Sequence, residues 1–373
     1  MIYFDAGATT LEKPAAVGRA MARAAHTMSS PGRGSYPASR LAGETAYLCR
    51  QEAAELLGVP QPENVVITGS ATHGLNLAIR SLLGPGDRVV ISGYEHNAVT
   101  RPLHAIPGLS VTVIDTPPFR PDLAAEEFCR AIRQKRPRAV ICTHVSNVFG
   151  AVLPVEDIAR CCRETDTPLI VDASQSAGVL PVDLAGWGAA FVAMPGHKGL
   201  YGPQGTGLLL CGAEGKPLLY GGTGSMSRLQ DMPPDLPDRL EPGTHNMPGI
   251  AGLLEGIRFV RRQGVETIAA RERQVALRAA RGLESAGGAG ILGSGASASD
   301  RRGVLRDGGP GLRGGGGGPG PAGHRPAGGA SLRAPGPSHG GDAGNRNPAA
   351  EHVVFQYAGP GGPPGVGRVP GAS

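Results

Sequence analysis

Short runs of β-branched and apolar residues recur along the chain at Val65-Val66-Ile67, Val89-Val90-Ile91, Val111-Thr112-Val113, Ala139-Val140-Ile141, Leu169-Ile170-Val171 and Phe191-Val192-Ala193. Between them lie longer stretches of helical character, among them Thr72–Leu83, Leu123–Gln134 and Val155–Glu164. Short strands alternating with helices predict a mostly parallel sheet covered on both faces, an α/β fold. Ligands of such sheets sit at the carboxyl ends of the strands. Every motif with chemical character in this sequence lies at one of those ends.

The pattern fails near residue 293. Residues 301–373 hold 23 Gly and 11 Pro, and Gly314 to Gly318 is an unbroken glycine run. No helical or strand period survives there, and no G-x-y register suggests collagen. Such a composition predicts a chain without regular structure. Upstream, Gly and Pro fill one position in five, which a globular domain tolerates.

With 373 residues the chain suits one large or two modest domains. Apolar residues make up 40% and aromatics only 4%, so the core must be built from Ala, Val, Leu and Ile. No apolar run reaches the ~18 residues of a membrane span. The start, Met1-Ile2-Tyr3-Phe4-Asp5, does not read as a secretory signal. Cys49, Cys129, Cys142, Cys161, Cys162 and Cys211 show no paired spacing and no CxxC, so free thiols in a reducing compartment are expected. A soluble, cytoplasmic protein with no membrane partner follows. The net charge of +5 comes from 36 basic against 31 acidic residues, not clustered with aromatics, and predicts no nucleic-acid partner.

Four strand-end motifs could carry chemistry. Gly69-Ser70-Ala71-Thr72-His73-Gly74 opens a helix, where small residues and free N–H groups favour an anion. It is neither a dinucleotide fingerprint nor a Walker A loop, and an ordinary turn capped by Ser70 or Thr72 is an equal reading. Tyr94-Glu95-His96-Asn97 offers an imidazole, which alone fits a capping or surface histidine as well as a catalyst. Asp172, ending the run at Val171, is either a functional carboxylate or a helix cap. Pro195-Gly196-His197-Lys198-Gly199 holds a lysine in a glycine-rich loop, where desolvation can make it an amine nucleophile. Together they offer an anion cradle, a ring platform, a carboxylate and an amine. That set suits an aldehyde cofactor with a phosphate and a basic ring nitrogen, pyridoxal 5'-phosphate.

The first ~290 residues resemble the class V aminotransferases of pyridoxal-phosphate fold type I, and within them the cysteine desulfurase and selenocysteine lyase branch. The resemblance rests on Ile2–Thr10, Glu95-His96-Asn97, Val171-Asp172-Ala173-Ser174-Gln175, Gly196-His197-Lys198 and Glu241-Pro242-Gly243-Thr244. It implies that Lys198 is the lysine joined to the cofactor aldehyde and that His197 is a phosphate ligand. Ala71 and Thr72 resemble the phosphate cradle, His96 the ring-stacking imidazole, and Asp172 the partner of the ring nitrogen. Gln175 would reach the ring hydroxyl, and Asn147 that hydroxyl and the substrate carboxylate. Gly243-Thr244 resembles a loop that reaches the phosphate of a second subunit, implying a homodimer. Lys198 and His96 are the implied catalytic pair. Two departures stand out: Pro195 replaces a common Ser or Thr, and Asp5-Ala6-Gly7-Ala8 replaces Asp-Asn-Ala-Ala.

The implied organisation is an N-terminal arm (1–12) folded against the small domain, a large cofactor domain (13–240), the start of a small α+β domain (241–292) and the anomalous tail (293–373). The implied reaction turns L-cysteine into L-alanine and enzyme-bound sulfur, with a sulfur-acceptor protein as partner. Selenocysteine lyase and class V transaminase or epimerase are the alternatives. The family's sulfur-accepting cysteine and carboxylate-binding arginine belong to the C-terminal third, but no cysteine follows Cys211. Dropping one base from a permitted back-translation of Ser331–His339 yields His-Cys-Ala-Pro-Leu-Ala-His-Arg, which resembles the family's cysteine loop. The same shift over Asp342–Glu351 permits a peptide similar to its arginine segment, and over Arg302–Pro310 a strand-like peptide. A shifted reading frame therefore accounts for the tail. If the tail is genuine, the chain is a non-catalytic homologue with a disordered interaction segment.

Overall fold

All six apolar runs form strands. The computed structural model describes residues 2–32, 34–285, 289–292, 304–307 and 352–354. The strands are β1 (Val65–Thr68), β2 (Arg88–Ser92), β3 (Ser110–Ile114), β4 (Ala139–Thr143), β5 (Leu169–Asp172), β6 (Phe191–Pro195) and β7 (Gly207–Cys211). Helices α1 (Ala15–Thr27), α2 (Pro37–Leu56), α3 (Ala71–Leu82), α4 (Asn97–His104), α5 (Pro121–Lys135), α6 (Val155–Glu164) and α7 (Leu184–Trp187) surround them. They are followed by α8 (Met247–Gln263) and α9 (Val265–Ser285).

The sheet order is β1-β7-β6-β5-β4-β2-β3. The pairs β6–β5, β5–β4, β4–β2 and β2–β3 are parallel, while β7 runs antiparallel to both β6 and β1. This is the α/β architecture the alternating pattern predicts. The one strand of this sheet not anticipated, β7, is the Leu208-Leu209-Leu210 run, which leucine content alone does not separate from a helix.

Successive strand residues point to opposite faces, and the core divides accordingly. Val90, Val140, Val171, Val192 and Leu208 pack with residues of α2, α5, α6 and α8 on one face. Val89, Ile91, Ile141, Ile170, Phe191 and Leu209 pack with Leu75, Ile79, Val99 and Leu103 of α3 and α4 on the other. Only β3, at the sheet edge, leaves Val111 and Val113 exposed. Helix α8 lies on α1 and α2, and Gly256 lets it approach the loop after β6: a Cβ there would come within 2.3 Å of the Leu200 carbonyl oxygen.

Three expectations change. Cys129 on α5 and Cys161 on α6 are joined by a disulfide, their Cα atoms 5.5 Å apart, rather than standing as free thiols. They lie 32 residues apart in sequence on two neighbouring helices, so no spacing motif announces the pair. The other four cysteines are free and buried. The N-terminal segment makes hydrogen bonds to large-domain loops at Gln175 and His197 rather than folding only against the small domain. Finally, strands β8 (Ala289–Leu292), β9 (Val304–Asp307) and β10 (His352–Val354) form a separate antiparallel sheet, and two of them fall in the stretch expected to lack regular structure. Their register aligns Ile291, Leu305 and Val353, apolar positions in a Gly/Pro-rich background. The rest of 293–373, including the segments from which the cysteine and arginine peptides are back-translated, lies outside the described residues. Among the described residues no helix is long and apolar enough to cross a membrane.

Phe191 is fully buried at the centre of the sheet. Replacing it with alanine should lower unfolding stability by about 3–5 kcal/mol, from lost burial and the cavity left behind, as read by urea denaturation of the two proteins.

Candidate active site

Strands β1, β6, β5, β4 and β2 all run in the same direction, so their carboxyl ends open on one edge of the sheet. Across that edge stand, in spatial order, the Ser70 turn, the His197-Lys198 loop, Asp172 with Gln175, Asn147, and Glu95 with His96. The register aligns Thr143 with Asp172 and Asp172 with Ala193, which sets the carboxylate between its two neighbours. All four predicted motifs thus converge.

At the first position Ser70 caps α3, its Oγ accepting from the His73 N–H at 3.1 Å. The capping reading of this turn is therefore correct and falls on Ser70 rather than Thr72. The cap leaves the N–H groups of Ala71 and Thr72 without an intrahelical acceptor, at the positive end of the helix dipole. Thr72 is exposed beside them, and a Cβ on Gly69 would meet nothing within 4 Å.

His96 is likewise both a cap and a candidate. Its Nδ1 accepts from the Ala98 N–H at 3.0 Å, which places the ring proton on Nε2 and fixes the ring at the start of α4. Burial lowers its pKa, with Asp172 opposing and Lys198 reinforcing the shift. A neutral imidazole within the electrostatic reach of both the carboxylate and the lysine is the result. Asp172 is buried, and its Oδ1 accepts from the Ser174 N–H at 2.9 Å.

The Lys198 loop is held from three sides. Thr10 donates its hydroxyl to the His197 carbonyl at 2.8 Å, and its N–H reaches the same oxygen at 3.1 Å. The Thr9 hydroxyl lies 3.0 Å from His197 Nδ1, and Lys13 Nζ donates to the Thr10 carbonyl at 2.9 Å. Beneath the loop, Gly178 has φ +80°, and a Cβ there would fall 2.2 Å from the Gly199 carbonyl oxygen. Burial, with Lys198 and Lys13 nearby, pushes the His197 pKa down to about 4, so this ring is neutral at pH 7. The opening motif Ile2–Thr10 thereby finds its place, as a brace on the lysine loop. Lys13 belongs to that brace, and no motif in the sequence marks it.

Gln175 is buried and donates through Nε2 to the Gly7 carbonyl at 3.1 Å. Asn147 is half-buried on the loop after β4, where Ser146 Oγ accepts from the Val148 N–H at 3.3 Å. Thr244 lies apart from these residues. It is exposed, on the loop before α8, and lines a cavity of about 200 Å³ with Gly69, His73, Thr206, Glu241 and His245. That places it beside the Gly69–Thr72 turn of its own chain.

Glu95 is the residue whose role the motif left open. Its Oε1 accepts from Ser92 Oγ at 2.5 Å and from the Thr143 N–H at 2.7 Å, while Oε2 is buried with no hydrogen-bond partner. Burial, and secondarily the nearby Asp172, push its carboxyl up to about 8. Folded protein therefore keeps a proton that the unfolded chain loses near 4.5, so this group's contribution to stability falls as pH rises from about 4.5 to 8. Glu95→Gln should flatten that decline: the difference in unfolding free energy between pH 5 and pH 8 should be smaller in the variant than in the parent protein.

Comparison with known proteins agrees with this geometry. The profile of the family "Aminotransferase class-V" matches residues 2–305. A probable cysteine desulfurase of Xylella fastidiosa is 32% identical over 316 residues, covering 79% of this chain and 73% of that protein. One of Mycolicibacterium paratuberculosis is 31% identical over 284 residues, 73% of this chain but only 41% of the relative's length. Among solved structures, the apo cysteine desulfurase of Thermococcus onnurineus NA1 superposes with a TM-score of 0.72 at 28% identity, over 83% of this chain and 79% of that one. The fold, the strand-end site and the match over residues 2–305 together place this chain in the class V aminotransferase family.

Proposed function

We propose that the chain is a pyridoxal-phosphate enzyme of the cysteine desulfurase type, acting on L-cysteine, with the cofactor half of its site built and the sulfur-transfer half absent from its sequence as written. The observation that carries the reading is the convergence of Asp172, His96 and Lys198 on one sheet edge beside the open turn at Gly69–Thr72.

The donor set fits the cofactor. The unpaired N–H groups at the start of α3 and a neutral His197 suit a phosphate, with Thr72 adding a hydroxyl. Asp172 is buried and would hold a proton on the ring nitrogen, and His96 presents a fixed, neutral ring. Pyridoxal 5'-phosphate supplies an aldehyde that captures amines and a ring that accepts electron density from the substrate α-carbon. Lys198 Nζ would be the amine it captures at rest and would then carry the α-proton of L-cysteine. Asn147 and Gln175 would orient the ring hydroxyl and the substrate. The brace of Thr9, Thr10 and Lys13 fixes the backbone from which this amine extends.

Sulfur transfer needs a thiolate that attacks the substrate sulfur, and no cysteine follows Cys211, which lies buried in β7. Turnover by the chain as written is therefore expected to be low, and the protein would act as a cofactor-binding homologue unless the reading frame restores the missing peptides. The homodimer, in which Thr244 meets the partner's phosphate, the sulfur-acceptor protein and the cytoplasmic location belong to the same reading.

Purified protein mixed with pyridoxal 5'-phosphate should show a visible absorbance band that Lys198→Ala abolishes; no band in the parent protein overturns the enzyme reading. Asp172→Ala should retain cofactor but slow α-proton exchange of bound amino acid by about 10²-fold or more, measured by deuterium incorporation. Alanine and sulfide from L-cysteine would identify a desulfurase, and release confined to selenocysteine a lyase. The nucleotide sequence from Gly293 onward decides the tail: codons permitting the His-Cys-Ala-Pro frame support a damaged desulfurase, and codons forbidding it leave the non-catalytic homologue.

A further inference from the structure

Strand β1 is the outer strand of the sheet, so the backbone groups on its open edge have no strand to pair with. Val65 and Ile67, two residues apart, present a carbonyl and an N–H on that edge. A buried ion pair takes both. Arg50 Nη1 on α2 donates to the Val65 carbonyl at 2.6 Å, and the Ile67 N–H donates to Glu241 Oε1. Arg50 and Glu241 are joined to each other by two parallel hydrogen bonds of 2.6 and 2.7 Å. His245 Nε2 lies 2.8 Å from Glu241 Oε2.

One carboxylate therefore ties together helix α2, the last residues of β1 and the loop 241–246. What each of those leads to gives the arrangement its meaning. Two residues beyond Ile67 the chain enters the Gly69–Thr72 turn, and three beyond Glu241 stands Thr244. The same cavity is lined by Gly69 on one side and by Glu241, Thr244 and His245 on the other. Arg50 compensates the buried charge and holds the Glu241 carboxyl below its usual range. Removing one partner from a buried pair leaves the other charge uncompensated, so this pair is costly to break.

We propose that Glu241 is a positioning residue for the phosphate-binding side of the site: by substituting for a strand on the edge of β1 it sets the distance between the Gly69–Thr72 turn and the loop carrying Thr244. The inference rests on the cofactor reading above. In a dimer the same carboxylate would also aim Thr244 at the partner's phosphate. Both of its carboxylate oxygens are engaged by Arg50, the Ile67 N–H and His245, so its effect should fall on recognition of the phosphate and spare recognition of the ring.

The test compares two ligands that differ only by that phosphate. Dissociation constants of pyridoxal 5'-phosphate and pyridoxal are measured by absorbance titration of the full chain and of Glu241→Gln. The expected result is an affinity for pyridoxal 5'-phosphate about 10-fold weaker in the variant, as loss of a charge-assisted contact implies, with pyridoxal affinity unchanged within about 2-fold. Equal weakening for both ligands would mean that Glu241 only stabilises the fold, and unchanged affinity for both would mean that it does not set the site; either overturns the inference. If Glu241→Gln does not fold, Arg50→Lys is measured in its place, since it keeps the charge but loses the two-pronged grip, and it should change the ratio in the same direction. A parent protein that binds neither ligand would instead defeat the cofactor reading itself.

Discussion

Six strands running in one direction are the constraint on which everything else in this molecule depends. A parallel pair requires a crossover, so each strand must be followed by a connection that returns across the sheet. The turns that start these connections all emerge at the carboxyl edge. Residues 70, 96, 147, 172 and 198 are scattered over 129 positions, yet they share that edge because each follows a strand of the same sense. The aliphatic core makes the arrangement durable. Valine and isoleucine fill both faces of the central strands, and helices cover them, so no strand can slip without exposing its side chains.

Structural and chemical roles overlap in several residues of the site. Ser70 and His96 each cap a helix, and in doing so each acquires a fixed orientation. The cap on α3 leaves neighbouring N–H groups open toward an anion. Burial leaves the His96 ring neutral, and the bond from Ala98 holds it at its near end. Glu95 and Asp172 illustrate the electrostatic side of the same economy. They lie close enough to influence one another in a buried setting, and one of them keeps its proton, which relieves the repulsion two adjacent carboxylates would otherwise suffer. The neutral Glu95 then bridges the ends of β2 and β4 without competing with Asp172 for a positive partner.

The relatives named above are probable cysteine desulfurases, and the match to the family profile ends at residue 305. That boundary lies close to the point where the apolar pattern of the sequence fails. Front and back of the chain obey different compositional rules. The front carries the strand-end motifs on which the proposed cofactor site rests, while the back, as written, contains no cysteine.

Local sequence pattern was sufficient for six strands of the main sheet, several of the helices and the four strand-end motifs, because each depends on neighbours a few residues away. Val-Val-Ile runs bury wherever they are placed, and a serine before a helix caps it in any fold. The pairings were beyond its reach. Cys129 and Cys161 meet because α5 and α6 pack side by side, Thr10 meets His197 because the chain start crosses the lysine loop, and Arg50 meets Glu241 across 191 positions because β1 has an open edge. The proton on Glu95 depends on burial, which its identity as a glutamate does not reveal. Residue types and turns are local properties and were legible from the sequence; contact, burial and the charge states that follow from them arise only when distant segments share the same interior, and the tertiary structure alone decided those.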